Sequence, residues 1–172
     1  LRMGGGRDPL HEDVVAAVAE LMPAAEALLG DGPDAGLVHA DLHHGNLLLH
    51  EEHWTAIDFD DCGYGAFAFD LAMPIYYAVR AQRDLPAEQA AERFVPPFLQ
   101  GFRRHAPDPA GGAEAVARAL MVRQAELVVA LRAKLPPGGW DDRLRDLERE
   151  LRENTRLARP VVEEGVLRRW LA

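Results

Sequence analysis

Polar side chains crowd two short segments of this chain: His39, Asp41, His43, His44 and Asn46 in the first, Asp58, Asp60 and Asp61 in the second. Carboxylates do not gather beside strands for stability, because each must be paired, hydrogen-bonded or bound to a metal. Taken one at a time, these residues fit a polar loop followed by a capped turn. Their spacing says more. His39-x-Asp41-x4-Asn46, then a strand, a turn and a second strand ending in Asp58, supplies three parts of a phosphoryl-transfer site. Asp41 can accept the proton of an incoming hydroxyl or orient it. Asn46 and Asp58 offer hard oxygen ligands that suit Mg2+, which stays bound mainly to water and substrate phosphates. At a frequency of about 5% per residue type, the first three align by chance in roughly 2% of chains this long, and Asp58 lowers that to about 0.1%.

The histidines admit a second chemistry. His39, Asp41 and His43, with His44 beside them, could hold a tetrahedral transition metal as in a metal-dependent hydrolase. That arrangement leaves Asn46 and the Asp58 loop without a role. Gly63-Tyr64-Gly65-Ala66-Phe67-Ala68 mimics a dinucleotide fingerprint, yet Asp58, Asp60 and Asp61 would face the pyrophosphate and no βαβ pattern surrounds it. The chain contains no serine, which removes every serine-nucleophile hydrolase.

The elements that must position these residues form an α+β pattern. Leu37 and Val38 make a short apolar lead-in, Leu47 to Leu49 one strand, and Trp54 to Phe59 another, with Glu51 and Glu52 in the turn between them. Elsewhere the periodicity is helical. It predicts a helix over 11–29 with Val14, Val18 and Leu21 on one face, kinked or divided at Pro23. Further helices are expected over 71–83, over 86–105 with a break at Pro96 and Pro97, over 113–135 with a Val116, Leu120, Leu127, Leu131 stripe, and from Asp141 onward. The last has a Leu144, Leu147, Leu151 seam, and pairs such as Asp141 with Arg145 and Glu148 with Arg152 lace its exposed side. Tyr64, Tyr76, Tyr77 and Trp54 are expected in or at the edge of the core. Gly4 to Gly6 open a tail or linker, and Gly30 to Gly36 read as a loop.

Composition sets outer bounds. At 172 residues and 48% hydrophobic content the chain can bury a sizeable core. A net charge of −9 argues against nucleic acid as a partner, because phosphate backbones demand a dense basic patch. No apolar run reaches the length of a membrane span, and Cys62 is the sole cysteine, so a cytoplasmic location with no membrane partner is expected.

The segment Gly36-Leu-Val-His-Ala-Asp-Leu-His-His-Gly-Asn-Leu-Leu-Leu-His50, with Thr55-Ala-Ile-Asp-Phe-Asp-Asp-Cys-Gly-Tyr-Gly65, resembles the aminoglycoside phosphotransferase and choline kinase superfamily, whose fold is protein-kinase-like. The resemblance implies catalytic-loop roles for His39 and Asp41, with Asp41 catalytic. It implies metal binding by Asn46 and Asp58, and cofactor binding by both, with His43 near the phosphates. Asp70 falls where the family has an aspartate that braces the catalytic loop. Ala40 stands where a glycine is usual, a small replacement expected to be harmless. Gly65-Ala66-Phe67 stands where antibiotic-modifying members carry Gly-Asp-Pro, and Asp58-Phe-Asp-Asp61 is similar to the homoserine-kinase-like and stress-response-kinase-like branches. The implied cofactors are ATP and Mg2+, and the implied partner is a small molecule bearing a hydroxyl: an amino alcohol, an aminosugar or a homoserine-like compound.

A kinase-like enzyme also needs an upper lobe with a phosphate-covering loop and a strand lysine. Only 38 residues precede His39, and the single lysine, Lys134, ends a helix. The expectation is therefore a kinase-like C-terminal lobe over 36–172, a tail and helical connector over 1–35, and no nucleotide-clamping lobe. The first residue is leucine, which suggests a removed leader or a piece of something longer. Such a lobe would be inactive alone and would associate, as a homo-oligomer, through the face an upper lobe covers. The competing expectation is a non-catalytic remnant or assembly module.

Overall fold

The computed structural model describes residues 12–28, 34–135 and 137–171. The glycine-rich opening and most of the loop after the first helix lie outside the described residues. The architecture is α+β and mostly helical, with two small antiparallel ladders. In chain order the elements are α1 (Glu12–Leu28), β1 (Ala35–Val38), β2 (Leu47–His50), β3 (His53–Ala56), β4 (Gly63–Ala66), α2 (Phe67–Ala81), α3 (Ala87–Phe102), α4 (Gly112–Lys134), α5 (Asp142–Arg156) and the short α6 (Glu164–Leu167).

The strand topology does the positioning. β2 and β3 form the expected hairpin across Glu51 and Glu52, with Leu47 opposite Ala56 and His50 opposite His53. β1 pairs with β4, a strand the sequence pattern does not suggest, with Ala35 opposite Ala66 and Val38 opposite Gly63. Each chemistry-bearing loop is thus anchored at both ends. The loop over 39–46 leaves β1 and enters β2, and the loop over 57–62 leaves β3 and enters β4. β3 stops at Ala56 rather than Phe59, because Asp58 takes a left-handed φ of 63° that no strand accommodates.

Helix α4 is the hub of the helical layer, packing against α1, α2, α5 and α6. It is therefore buried on several sides rather than along one stripe: Val116, Leu120, Gln124 and Val128 are inaccessible, while Leu127 and Leu131 are only half-buried. Leu71, Ile75 and Tyr76 of α2, Val95 and Leu99 of α3, and Leu151 of α5 complete the core. Three prolines expected to kink, divide or break helices leave them continuous. Pro23 lies within α1, and Pro96 and Pro97 lie within α3. A helical proline frees the carbonyl four residues earlier, here Ala19, Glu92 and Arg93. All three of those residues are exposed, so water can satisfy the freed groups while Val14, Ala90, Ala91, Val95 and Leu99 keep the opposite faces buried.

Two aromatic expectations fail: Trp54 is 66% exposed and Tyr64 is 65% exposed, both on the small ladders. The charge lacing of α5 also differs. Asp141 caps the helix by accepting from the Leu144 N–H at 2.8 Å, and Arg145 pairs with Asp142 instead. Glu148 points inward to Arg132 of α4 at 2.6 Å, with Arg152 only at 4.0 Å. Among the described residues no helix is long and apolar enough to cross a membrane.

Candidate active site

The first loop is held from behind by Asp70, in the first turn of α2. Its two carboxylate oxygens accept from the backbone N–H groups of His39 and Ala40, each at 3.0 Å. This is the bracing role that the resemblance implies. Ala40, whose N–H is so held, has φ 64°, the left-handed region where a Cβ is costly. Alanine here is therefore not the harmless replacement expected. Ala40→Gly should raise the stability of this chain by about 0.5–1 kcal/mol in urea denaturation. A decrease would show that the position carries no strain.

The two loops are stitched together at Ile57. Its N–H donates to the Asn46 carbonyl at 3.0 Å, and its own carbonyl lies 3.0 Å from Nε2 of His39. Gripped on both sides, this peptide fixes where the next residue, Asp58, emerges. His39 itself is buried, with its ring 4.6 Å from that of Phe59.

Asn46 is also buried. Its Nδ2 donates to the Asp41 carbonyl at 3.0 Å, which leaves its amide oxygen as the group available to a cation. Asp58 is exposed, and its carboxylate has no hydrogen-bond or ion-pair partner among the described residues. Two hard oxygens on adjoining loops fit Mg2+, which needs only one or two protein ligands when phosphates complete the shell. The alternative zinc set does not assemble. Among the described residues no three His, Cys, Asp or Glu side chains stand where they could share a metal ion. Nε2 of His39 is committed to Ile57, and Nδ1 of His43 accepts from the Gly45 N–H at 2.9 Å.

That last bond defines the state of His43. An Nδ1 that accepts cannot carry a proton, so the ring is neutral with its proton on Nε2, 3.6 Å from the Asp41 carboxylate. Burial lowers the imidazole pKa, with the Asp41 charge opposing and His44 and Arg123 adding to the fall. An NMR titration of the His43 ring should give a midpoint below the ordinary histidine value. A midpoint above it would mean that Asp41 outweighs burial.

Sequence reasoning missed the partner that matters most to Asp41. Arg123, from the middle of α4, donates to one Asp41 carboxylate oxygen and to the Tyr77 hydroxyl at 2.5 Å, and it lies 3.4 Å from Glu126. The Tyr77 ring in turn packs on His43, with centroids 4.4 Å apart. Burial, the largest effect, raises the Tyr77 pKa against the pull of Arg123, so the phenol stays protonated. A signal for Arg123 exists in the sequence: it sits three residues after Leu120 and four before Leu127, a cation on an otherwise apolar helical stripe. Asp41, Arg123 and Glu126 open onto a cavity of about 520 Å3 between α4 and the loops.

The phosphotransferase enzyme family model matches residues 2–107, most of the chain. The chain belongs to the phosphotransferase enzyme family. Within that family, amicoumacin kinase of Bacillus subtilis (strain 168) is 42% identical over 71 residues, covering 39% of this chain and 20% of that protein. The solved structure of amicoumacin kinase hAmiN in complex with AMP-PNP, Ca2+ and Ami superposes with a TM-score of 0.76 at 26% identity, covering 90% of this chain and 47% of that one. This chain thus spans less than half the length of either relative.

Proposed function

We propose that this chain forms the catalytic lobe of an ATP-dependent phosphotransferase that transfers a phosphoryl group to a hydroxyl of a small molecule. The observation that supports this reading is the double anchoring of the two loops, one carrying Asp41 and Asn46 and the other Asp58. Asp41 accepts or orients the acceptor hydroxyl. Arg123 keeps its carboxylate aimed, and Asn46 with Asp58 would hold Mg2+, which would offset the charge of the nucleotide phosphates. His39 is a positioning residue that sets the Asp58 loop through Ile57, and His43 is the residue near the phosphates in this reading.

The nucleotide-clamping elements come, in this reading, from a further lobe, with residues 1–35 as connector and 36–172 as the catalytic part. Two observations support it. The lone lysine ends α4, far in context from a strand lysine, and the ladders expose Leu37, Leu48, Leu49, Trp54 and Tyr64 where such a lobe would pack. The Asp58-Phe59-Asp60-Asp61 form favours the homoserine-kinase-like and stress-response-kinase-like branches over the antibiotic-modifying members, and the acceptor classes that the family resemblance allows are an amino alcohol, an aminosugar or a homoserine-like compound. The test is a screen of hydroxyl compounds with Mg2+-ATP, using a protein that carries this chain together with its clamping lobe and following transfer by phosphorus NMR. Phosphorylation of a hydroxyl is expected; ATP hydrolysis alone, with every acceptor, would count against the reading.

A further inference from the structure

A second cleft, of about 640 Å3, opens on the other side of Tyr77 between α2, α4 and α5. Its floor is apolar, built from residues such as Leu127, Leu131, Leu147 and Leu151, and every charged side chain that lines it is a cation: Arg80, Arg83, Lys134 and Arg143. No carboxylate lines it among the described residues, in a chain with 28 acidic residues against 19 basic ones. Glu150 neutralises Arg80 through two hydrogen bonds of 2.7 and 3.1 Å. Arg83, Lys134 and Arg143 have no hydrogen-bond or ion-pair partner among the described residues. Nearby carboxylates are already engaged, Asp141 in capping α5 and Asp146 with Arg149 at 2.9 Å. Three uncommitted cations thus face an apolar trough on an acidic protein.

The cleft neighbours the candidate site. It shares Leu127, Ala130 and Lys134 with the cavity that contains Asp41. His44 and Tyr77 border it, and the Tyr77 hydroxyl meets Arg123, the partner of Asp41. We propose that this cleft binds the acceptor, and that the acceptor is an amphipathic hydroxyl compound bearing an anionic group, carboxylate or phosphate, at the end away from the reacting hydroxyl. The apolar body lies over the leucines, the anion meets Arg83, Lys134 and Arg143, and the hydroxyl passes Tyr77 towards Asp41. The inference rests on the phosphotransferase reading and narrows it. Of the acceptor classes named above, amino alcohols and aminosugars would present a cation to this cleft and be repelled.

The experiment titrates this chain by NMR with three probes of matched length: 6-hydroxyhexyl phosphate, 6-hydroxyhexanoate and 6-amino-1-hexanol. Exposed charges each change affinity by a few-fold, so three acting together should favour both anions over the amine by at least ~10-fold. The two anions distinguish a phosphate from a carboxylate requirement. The double variant Arg83→Ala/Arg143→Ala, at exposed positions that leave the core intact, should weaken the anions by about tenfold and tighten the amine by relieving its repulsion. Equal or tighter amine binding, an unaffected double variant, or no anion binding up to about 10 mM would overturn the proposal. The two readings fail separately. Transfer from ATP only to neutral or cationic hydroxyl compounds would sink the anionic cleft and keep the phosphotransferase. Charge-selective binding of the anions with no transfer to any hydroxyl would do the reverse.

Discussion

Asp41→Asn is expected to cut turnover at least ~100-fold while leaving nucleotide affinity nearly unchanged, in a protein that joins this chain to a clamping lobe as proposed. The carboxylate faces the cavity, and its backbone carbonyl, not its side chain, holds Asn46. The change therefore removes the group that meets the acceptor hydroxyl and spares the metal-side asparagine. Arg123 can still donate to the amide oxygen of the variant, so the loop should stay in place. Steady-state kinetics with titrated nucleotide would check both halves. A loss of under about threefold would reject the role, and a parallel loss of nucleotide affinity would place Asp41 on the phosphate side.

Arg123→Met carries the largest expected effect on folding. It strips the Asp41 carboxylate of its ion pair and the Tyr77 hydroxyl of its donor, in a place where the Arg123 and Asp41 side chains are only 12% and 19% exposed. Breaking a fully buried pair costs more, and the residual exposure here screens the charge, so about 2 kcal/mol is expected in urea denaturation. Arg123→Lys keeps the charge but not the fork, whose Nη2 serves Asp41 and Tyr77 while Nη1 reaches Glu126, and should lie between. The double variant Arg123→Met/Asp41→Asn should be less destabilised than the sum of the single changes by about 1 kcal/mol, because the stranded charge is gone. Additive losses would mean that the two side chains do not depend on one another. A loss below about 0.5 kcal/mol for Arg123→Met would show that the pair contributes nothing to the fold.

The parts legible in the sequence are those fixed by short spacing. His39, Asp41 and Asn46 lie within one loop and its closing turn, and Asp58 follows a two-strand hairpin whose turn is marked by two glutamates. Asp70 was legible because it falls in the first turn of the helix that follows the second loop and β4, where the resemblance places a bracing aspartate. Arg123 was not, since 82 residues separate it from Asp41 and only the packing of α4 on α2 brings them together. β4 was hidden for a different reason. Gly63-Tyr64-Gly65-Ala66 has no β-branched residue, and its strand character comes from pairing with β1 rather than from propensity. The prolines misled because propensity is local, whereas the hydration of Ala19, Glu92 and Arg93 and the burial behind them are not. Glu148 looked like one more rung of a solvated helix face, and only the approach of α4 turns it inward to Arg132.

One structure decides whether Asn46 and Asp58 share a metal with the nucleotide: a protein that joins this chain to a clamping lobe, bound to Mg2+ and a non-hydrolysable ATP analogue. The amide oxygen of Asn46 and a carboxylate oxygen of Asp58 should lie ~2.1 Å from Mg2+. The Asp41 carboxylate should face the terminal phosphate from the acceptor side. Both metal-side chains more than about 5 Å from every metal ion, with the nucleotide in place, would contradict the account.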